Sequence, residues 1–114
     1  MRPEDALHLA VVDLAHAALA PHVYWFHVPN QGRFCLPHRM KLKRMGLRAG
    51  VPDLVFLHNG QAYFIELKSA TGRQSEPQQE AMVAIRWAGG VYELCRTVEQ
   101  CHALWKTWGM TKYS

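Results

Sequence analysis

Acidic residues are missing from a long stretch of this chain. No Asp or Glu occurs between Leu14 and Pro52, although nine are present elsewhere among the 114 residues. The sequence also lacks any run of about eighteen consecutive apolar residues, which excludes a membrane-spanning helix. Its first residues lack the basic, apolar and small-residue pattern of a secretory signal. We therefore expect a cytoplasmic protein with no membrane partner.

Cysteine is scarce, and its spacing excludes the common disulfide and zinc frameworks. The three cysteines are odd in number, and no two of them are spaced as C-x-x-C. The adjacent pair Cys101-His102 supplies too few ligands for a structural zinc site. We expect reduced thiols, with Cys101 in the core, and no small-molecule cofactor.

Low-complexity tracts, internal repeats and linkers are also absent. A composition with 49% hydrophobic residues is typical of a globular chain. We expect one domain over residues 1–114, with a basic insertion at about 33–50. A chain this small for an enzyme, with four tryptophans, favours association into a homodimer.

What is present centres on a hairpin. Asn59-Gly60 separates two runs of strand-like residues, and Asn-Gly is the strongest short-range signal for a two-residue type I′ turn. Such a turn pairs His58 with Gln61. The same register sets Asp53 directly opposite Glu66.

Two acids placed in this way need a reason. Facing residues of a hairpin point to the same side, and like charges there destabilise it by about 1 to 4 kcal/mol. A cation between Asp53 and Glu66 reverses that penalty, and carboxylate oxygens suit Mg²⁺ or Mn²⁺. Alternation along the strand puts Lys68 on the same face as Glu66. The pattern therefore indicates a metal-dependent hydrolytic site.

The plain alternative is a polar face on a solvated hairpin, since such a face also alternates. It does not explain why the acids oppose each other instead of facing lysines. Residues 54–57 and 63–65 are apolar on both faces, which is typical of strands covered on both sides.

Basic residues concentrate where acids are absent. Six of the thirteen Lys and Arg residues fall in the acid-free stretch, which ends beside Asp53. One reading is a solvated basic face; the other, favoured by this adjacency, is contact with a nucleic-acid backbone through charge. The six are Arg33, Arg39, Lys41, Lys43, Arg44 and Arg48.

Periodicity and turn signals predict an α/β fold, a mixed four-stranded sheet flanked by helices. The predicted order is a helix over 3–19, a strand over 23–28, a short basic helix over 37–45, the hairpin, a helix from Ser75 to Gly89-Gly90, a strand over 91–95 and a helix after Thr97. Glu4 continues the apolar stripe of the first helix, an odd place for a purely solvated acid.

Residues at the start of the third helix carry two separate predictions. Ser75 and Gln78 form a capping-box pattern, which gives Gln78 a structural role. Arg73 precedes this helix start, where anions are favoured, and is a candidate phosphate contact.

Several motifs together resemble the VRR-NUC domain family of the PD-(D/E)XK nuclease superfamily. The resemblance runs over nearly the whole chain, although His8 stands where such proteins often carry glutamine. The motifs are Glu4 with Leu7, His27-Val28-Pro29-Asn30, Gly50-Val51-Pro52-Asp53, Ile65-Glu66-Leu67-Lys68, and Ser75 with Gln78.

The resemblance implies an αβββαβ core and further site residues. Glu4 joins Asp53 and Glu66 at the site, and the backbone carbonyl of Leu67 is a metal ligand. Gln78 lies near the metal as an alternative to its capping role, and Asn30 falls among the nucleic-acid contacts.

The function expected from these patterns is metal-dependent hydrolysis of DNA phosphodiester bonds, with the chain resembling stand-alone phage or bacterial homodimers that resolve four-way (Holliday) junctions. Lys68 either activates the attacking water or stabilises charge on the phosphate. General nicking or flap cleavage is the alternative, as is a non-catalytic nucleic-acid-binding module. A phosphatase or small-molecule hydrolase fits poorly, because it calls for a closed apolar pocket rather than a long basic segment.

Overall fold

The computed structural model describes residues 1–29 and 35–112. Within these ranges the predicted order of elements is confirmed, with bounds shifted by one residue: α1 ends at residue 18 rather than 19, β1 covers 24–27 rather than 23–28, and α2 covers 36–44 rather than 37–45. The elements are α1 (Pro3–Ala18), β1 (Tyr24–His27), α2 (Leu36–Arg44), β2 (Leu54–His58), β3 (Gln61–Leu67), α3 (Glu76–Trp87), β4 (Val91–Cys95) and α4 (Val98–Thr107).

The strands form one mixed sheet of four in the order β1-β2-β3-β4. The pairs β1–β2 and β2–β3 are antiparallel, while β3 and β4 are parallel and are joined through α3. This is the predicted α/β architecture, an αβββαβ core with α2 inserted after β1 and α4 added at the end.

The central turn has the predicted type and register. Asn59 and Gly60 adopt φ values of 51° and 77°, and two successive positive values define a type I′ turn. His58 pairs with Gln61, and Leu54 with Ile65. Asp53 and Glu66 therefore lie one position beyond the last paired residues of the hairpin.

One face of the sheet carries the main core. Leu54, Phe56 and Ile65 are fully buried there. Trp105 of α4 meets Phe56 with ring centroids 5.9 Å apart, and Val11 of α1 belongs to the same buried cluster. α1 and α4 thus cover this face because their apolar stripes match its alternating residues.

The other face is covered unevenly. α3 packs over β3 and β4, where the Arg86 guanidinium lies 5.8 Å from the Tyr92 ring centroid. Leu57 on this face is 45% exposed, and its neighbours Tyr24 and Phe26 are exposed as well. The prediction that residues 54–57 are covered on both faces is therefore wrong at Leu57, because within the described ranges no helix lies over this part of the sheet.

The helices of the described part of the chain are too short or too polar to cross a bilayer. The three cysteines are free, and Cys101 is buried as predicted.

Candidate active site

Three carboxylates from separate elements converge at one end of the sheet. Glu4 lies in the first turn of α1, Asp53 directly precedes β2, and Glu66 lies near the end of β3. One oxygen from each lies within 4.8 Å of the others. Two oxygens bound to the same Mg²⁺ are at most about 4.2 Å apart, twice the metal–oxygen distance, so small side-chain adjustments bring all three onto one ion.

Asp53 is held from two sides. Its Oδ2 accepts a hydrogen bond of 2.7 Å from the backbone N–H of Leu67 on β3. Its backbone carbonyl accepts from the N–H of Val28 at 2.9 Å and from Nδ1 of His27 at 3.0 Å. The carboxylate is thereby held by β3, and the backbone that carries it is held by residues at the end of β1.

Glu66 is the most buried of the three acids. Only 1% of it is exposed. Burial raises its pKa to about 9, with further contributions from a hydrogen bond to Asp53 and from the charge of Asp53, while the charge of Lys68 opposes them. In the metal-free protein at neutral pH, Glu66 is therefore protonated and shares its proton with Asp53.

Tyr92 on β4 completes the surroundings of Glu66. Its hydroxyl donates to Glu66 Oε2 over 3.4 Å and accepts from Gln74 Nε2 at 3.0 Å. Burial and the neighbouring Glu66 raise the Tyr92 pKa, so the phenol stays a hydrogen-bond donor. Tyr92 was missed in the sequence, because its place beside Glu66 depends on the parallel register of β3 and β4.

Lys68 is buried on the same side of the sheet as the acids. Its backbone N–H donates to the Cys95 carbonyl at 3.0 Å, just beyond the last residue of β3. The loop that follows is fixed by Arg96, whose Nη1 donates to the carbonyls of Ser69 and Gly72 at 2.7 Å each. Arg96 was also missed, because nothing in its sequence context distinguishes it from a solvated arginine.

A cavity of about 320 Å³ opens above these groups. Arg48 and Gln78 lie on its wall together with the three acids and Lys68. The rest of the lining is Val28, Pro29, Leu47, Ala49, Gly50, Val51, Ser75 and Pro77.

Gln78 has the predicted capping role. Its Oε1 accepts from the backbone N–H of Ser75 at 2.8 Å, and Ser75 Oγ accepts from the Gln78 N–H at 3.3 Å. Gln78 also lies on the cavity wall, and its second predicted role, orienting water or phosphate near the metal, stays a prediction. At α4 the pattern differs, because Gln100 Oε1 accepts from Arg96 rather than from Thr97.

Gly50 explains how the basic segment reaches the site. Its φ is +75°, and a Cβ at this position would lie 2.3 Å from backbone atoms of Pro77. Only glycine permits this approach, which brings the segment before Asp53 against the first turn of α3.

The basic residues predicted to contact nucleic acid lie in different parts of the structure. Arg48 reaches the cavity wall, whereas Arg39 and Lys43 line a smaller hollow beside α2. Lys41 and Arg44 are exposed on α2, and Arg73 is exposed before α3. Asn30 and Arg33 lie outside the described residues, so their predicted contacts stay predictions.

His8 contacts the site through His27. The two rings meet edge to face with centroids 4.4 Å apart, and His27 in turn holds the Asp53 carbonyl. Burial, followed by the charge of His27, lowers the His8 pKa. His8 thus supports the backbone that carries Asp53.

The donor set fits a hard divalent cation. Three carboxylates supply oxygen ligands, and burial together with the neighbouring Asp53 raises the pKa of Glu66, so a cation bound there would favour its ionised form. Leu67 donates its N–H to Asp53, and its carbonyl stays a predicted ligand.

Comparisons with known proteins point in one direction. The VRR-NUC domain family model matches residues 7–99. A solved structure described as a VRR_NUC domain protein has a TM-score of 0.73 at 18% identity, covering 94% of this chain and 88% of its own. A second, described as a VRR_NUC domain, has a TM-score of 0.62 at 17% identity, covering 93% and 97%. No curated protein matches the sequence.

Proposed function

The chain belongs to the VRR-NUC domain family, and we propose that it is a metal-dependent endonuclease that hydrolyses DNA phosphodiester bonds and resolves four-way junctions as a homodimer. The observation that carries the proposal is the convergence of Glu4, Asp53 and Glu66 beside a buried lysine. Three acids this close repel one another when all are ionised, unless a cation binds between them.

Glu4, Asp53 and Glu66 would hold Mg²⁺ or Mn²⁺, with the Leu67 carbonyl as a further ligand. A bound divalent cation supplies the positive charge that activates water and offsets the charge of the phosphate. The carboxylates would have to be ionised to hold one ion or two, so Glu66 would release its proton to solvent on binding.

Lys68 and Arg48 act on the substrate. A buried ammonium next to the acids donates hydrogen bonds to the attacking water or to a phosphate oxygen and stabilises the charge that develops there. Arg48 on the cavity wall pairs with a flanking phosphate, and Gln78 orients water or phosphate with the amide nitrogen that its cap leaves available. The exposed basic residues Lys41, Arg44 and Arg73, with Arg39, add contacts to the backbone.

Junction resolution is the substrate proposal. Symmetric cleavage of a four-way junction requires two active sites on two strands, which a twofold homodimer supplies. General nicking or flap cleavage requires one site only and is the second candidate.

The test is cleavage of end-labelled DNA. Wild-type protein should nick a four-way junction symmetrically with Mg²⁺ or Mn²⁺ and not with chelator, while Glu66→Gln should be inactive. Glu99→Gln removes an exposed acid of α4 that does not line the cavity and is the matched control, expected to keep full activity.

The other outcomes of this cleavage assay distinguish the alternative functions. Preferential cutting of flap or duplex DNA by wild-type protein would favour the second candidate. Binding without cleavage under every metal would replace the nuclease by a nucleic-acid-binding module.

A further inference from the structure

α3 is covered less well than a surface helix should be. None of its twelve residues is buried, although such a helix normally buries an apolar stripe. Trp87 is 88% exposed and Val83, one turn earlier, is 52% exposed. By contrast α4, of similar length, buries Cys101 and Trp105.

A groove of about 490 Å³ runs alongside this helix. One wall is apolar and consists of α3 side chains: Ala81, Ala84, Ile85 and Ala88. The opposite wall comes from the segment before Asp53 and includes Ala49 and Val51. The volume of the groove is large enough for a large side chain, and those exposed on the described surface include Trp87 itself.

The charges of the two walls are opposite in sign. Glu80 lies on the helix side of the groove, while Lys43 and Arg48 lie on the other side. Such an arrangement suits a partner that presents the same two walls in reverse order. A nucleic-acid strand suits it less well, because Glu80 repels phosphate and the alanine side chains donate no hydrogen bonds.

Trp87 protrudes from the same helix that forms one wall of the groove. Two copies can therefore contact each other through identical surfaces related by a twofold axis. If two copies of α3 cross antiparallel with the axis near Ala84, Trp87 of each copy lies opposite Ala81 of the other. Glu80 of each copy then approaches Lys43 of its partner, while Arg48 stays at the border with the catalytic cavity. Both contacts occur twice, as an isologous interface requires.

We propose that the α3 groove is the surface through which two copies of this chain associate, with Trp87 of each copy seated in the groove of the other. This inference rests on the proposed function and specifies its homodimer. The groove shares Arg48, Ala49, Val51 and Pro77 with the cavity above the acids, so the proposed interface borders the catalytic site.

Sedimentation velocity of the full chain over a range of concentrations tests the interface. Wild-type protein should form a dimer, and Trp87→Glu and Ala84→Arg should each raise the dimer dissociation constant at least about tenfold, as expected for a central aromatic anchor. Both positions are exposed, so circular dichroism should show an unchanged fold.

Two control variants define specificity. Leu9→Glu alters an equally apolar, 53% exposed residue of α1, on the opposite side of the sheet. Tyr24→Ser alters the uncovered part of the sheet itself. Both should leave the dimer intact.

The proposal is overturned if wild-type protein is monomeric throughout, if Trp87→Glu stays dimeric, or if Tyr24→Ser dissociates the dimer while Trp87→Glu does not. Its failure is distinguishable from that of the proposed function. A dimer that cuts no DNA under any metal removes only the nuclease, while a dimer that resolves junctions and is not dissociated by Trp87→Glu removes only this interface.

Discussion

The Asp53 carboxylate takes the place of a backbone partner for Leu67. Where the ladder between β2 and β3 ends, Leu67 donates its N–H to Asp53 Oδ2 over 2.7 Å. The acid is thus positioned by the strand that carries Glu66 and Lys68, and the register of the hairpin sets the geometry of the site.

Replacing Asp53 should separate its structural and chemical roles. Asp53→Ala leaves the N–H of Leu67 without its partner and should lower the free energy of unfolding by about 1–3 kcal/mol. Asp53→Asn keeps an acceptor oxygen and should lose less stability, while losing metal binding equally. Chemical denaturation in chelator measures the first effect, and equal stability of the two variants would contradict it.

Glu66→Gln should fold well and be inactive. In the metal-free protein Glu66 is protonated at neutral pH, since its pKa is about 9. A neutral amide of nearly the same shape therefore resembles the resting state. We expect a melting temperature in chelator equal to or above that of wild-type protein, with no further rise when Mg²⁺ or Mn²⁺ is added.

Differential scanning fluorimetry with and without metal checks this prediction. Glu99→Gln, the control outside the site, should keep the metal-induced rise. A Glu66→Gln variant that is stabilised by metal as strongly as wild-type protein would show that Glu66 is not a ligand.

The stability of the metal-free protein should fall between pH 5 and pH 9. Glu66 has a folded pKa of about 9 against an ordinary value of 4.5. Between those values the folded state binds more protons than the unfolded state, so raising the pH destabilises the fold, by at most about 1.4 kcal/mol per pH unit from this group. Denaturation in chelator at several pH values, compared with Glu66→Gln, isolates its contribution.

Metal should oppose this loss. Because a cation binds only the ionised acids, its stabilising effect should increase over the same pH range. A metal effect that is independent of pH would contradict the proposed coupling.

Much of the fold followed from local signals in the sequence. Asn59-Gly60 determined the turn, its register and hence the approach of Asp53 to Glu66. The capping pattern at Ser75 determined the start of α3. These features were predictable because each depends on residues close together in the chain.

Features that depend on contacts between distant segments were not predictable in this way. Tyr92 reaches Glu66 only through the parallel pairing of β3 with β4. Exposure of Leu57 reflects where α3 lies over the sheet, and the apolar composition of β2 gives no indication of it. Glu4 was placed by family resemblance, and the fold brings it to the other acids.

Arg96 should influence cleavage without contacting the substrate. Its guanidinium holds the carbonyls of Ser69 and Gly72, directly after Lys68. Arg96→Ala should release this loop and lower the cleavage rate at saturating metal, with a smaller change in metal affinity, because the three acids stay in place. Arg96→Lys should recover part of the rate, since one ammonium can bond one of the two carbonyls.

Single-turnover cleavage and metal titration distinguish this positioning role from general destabilisation. Loss of both rate and metal affinity in proportion to lost stability would contradict it.

Gly50→Ala should be among the most damaging small substitutions in this chain. The added methyl group would meet the backbone of Pro77 at 2.3 Å, and the left-handed φ of +75° adds strain for any residue with a Cβ.

Gly60→Ala is the matched control, because Gly60 has a nearly equal φ of +77° but nothing within 4 Å of its Cβ position. Both variants share the strain of the backbone, and only Gly50→Ala must also push the basic segment away from α3. The additional loss of stability, and a loss of DNA affinity through displacement of Arg48, should therefore appear in Gly50→Ala alone. Equal effects of the two substitutions on unfolding and on binding would show that the contact with Pro77 does not position the basic segment.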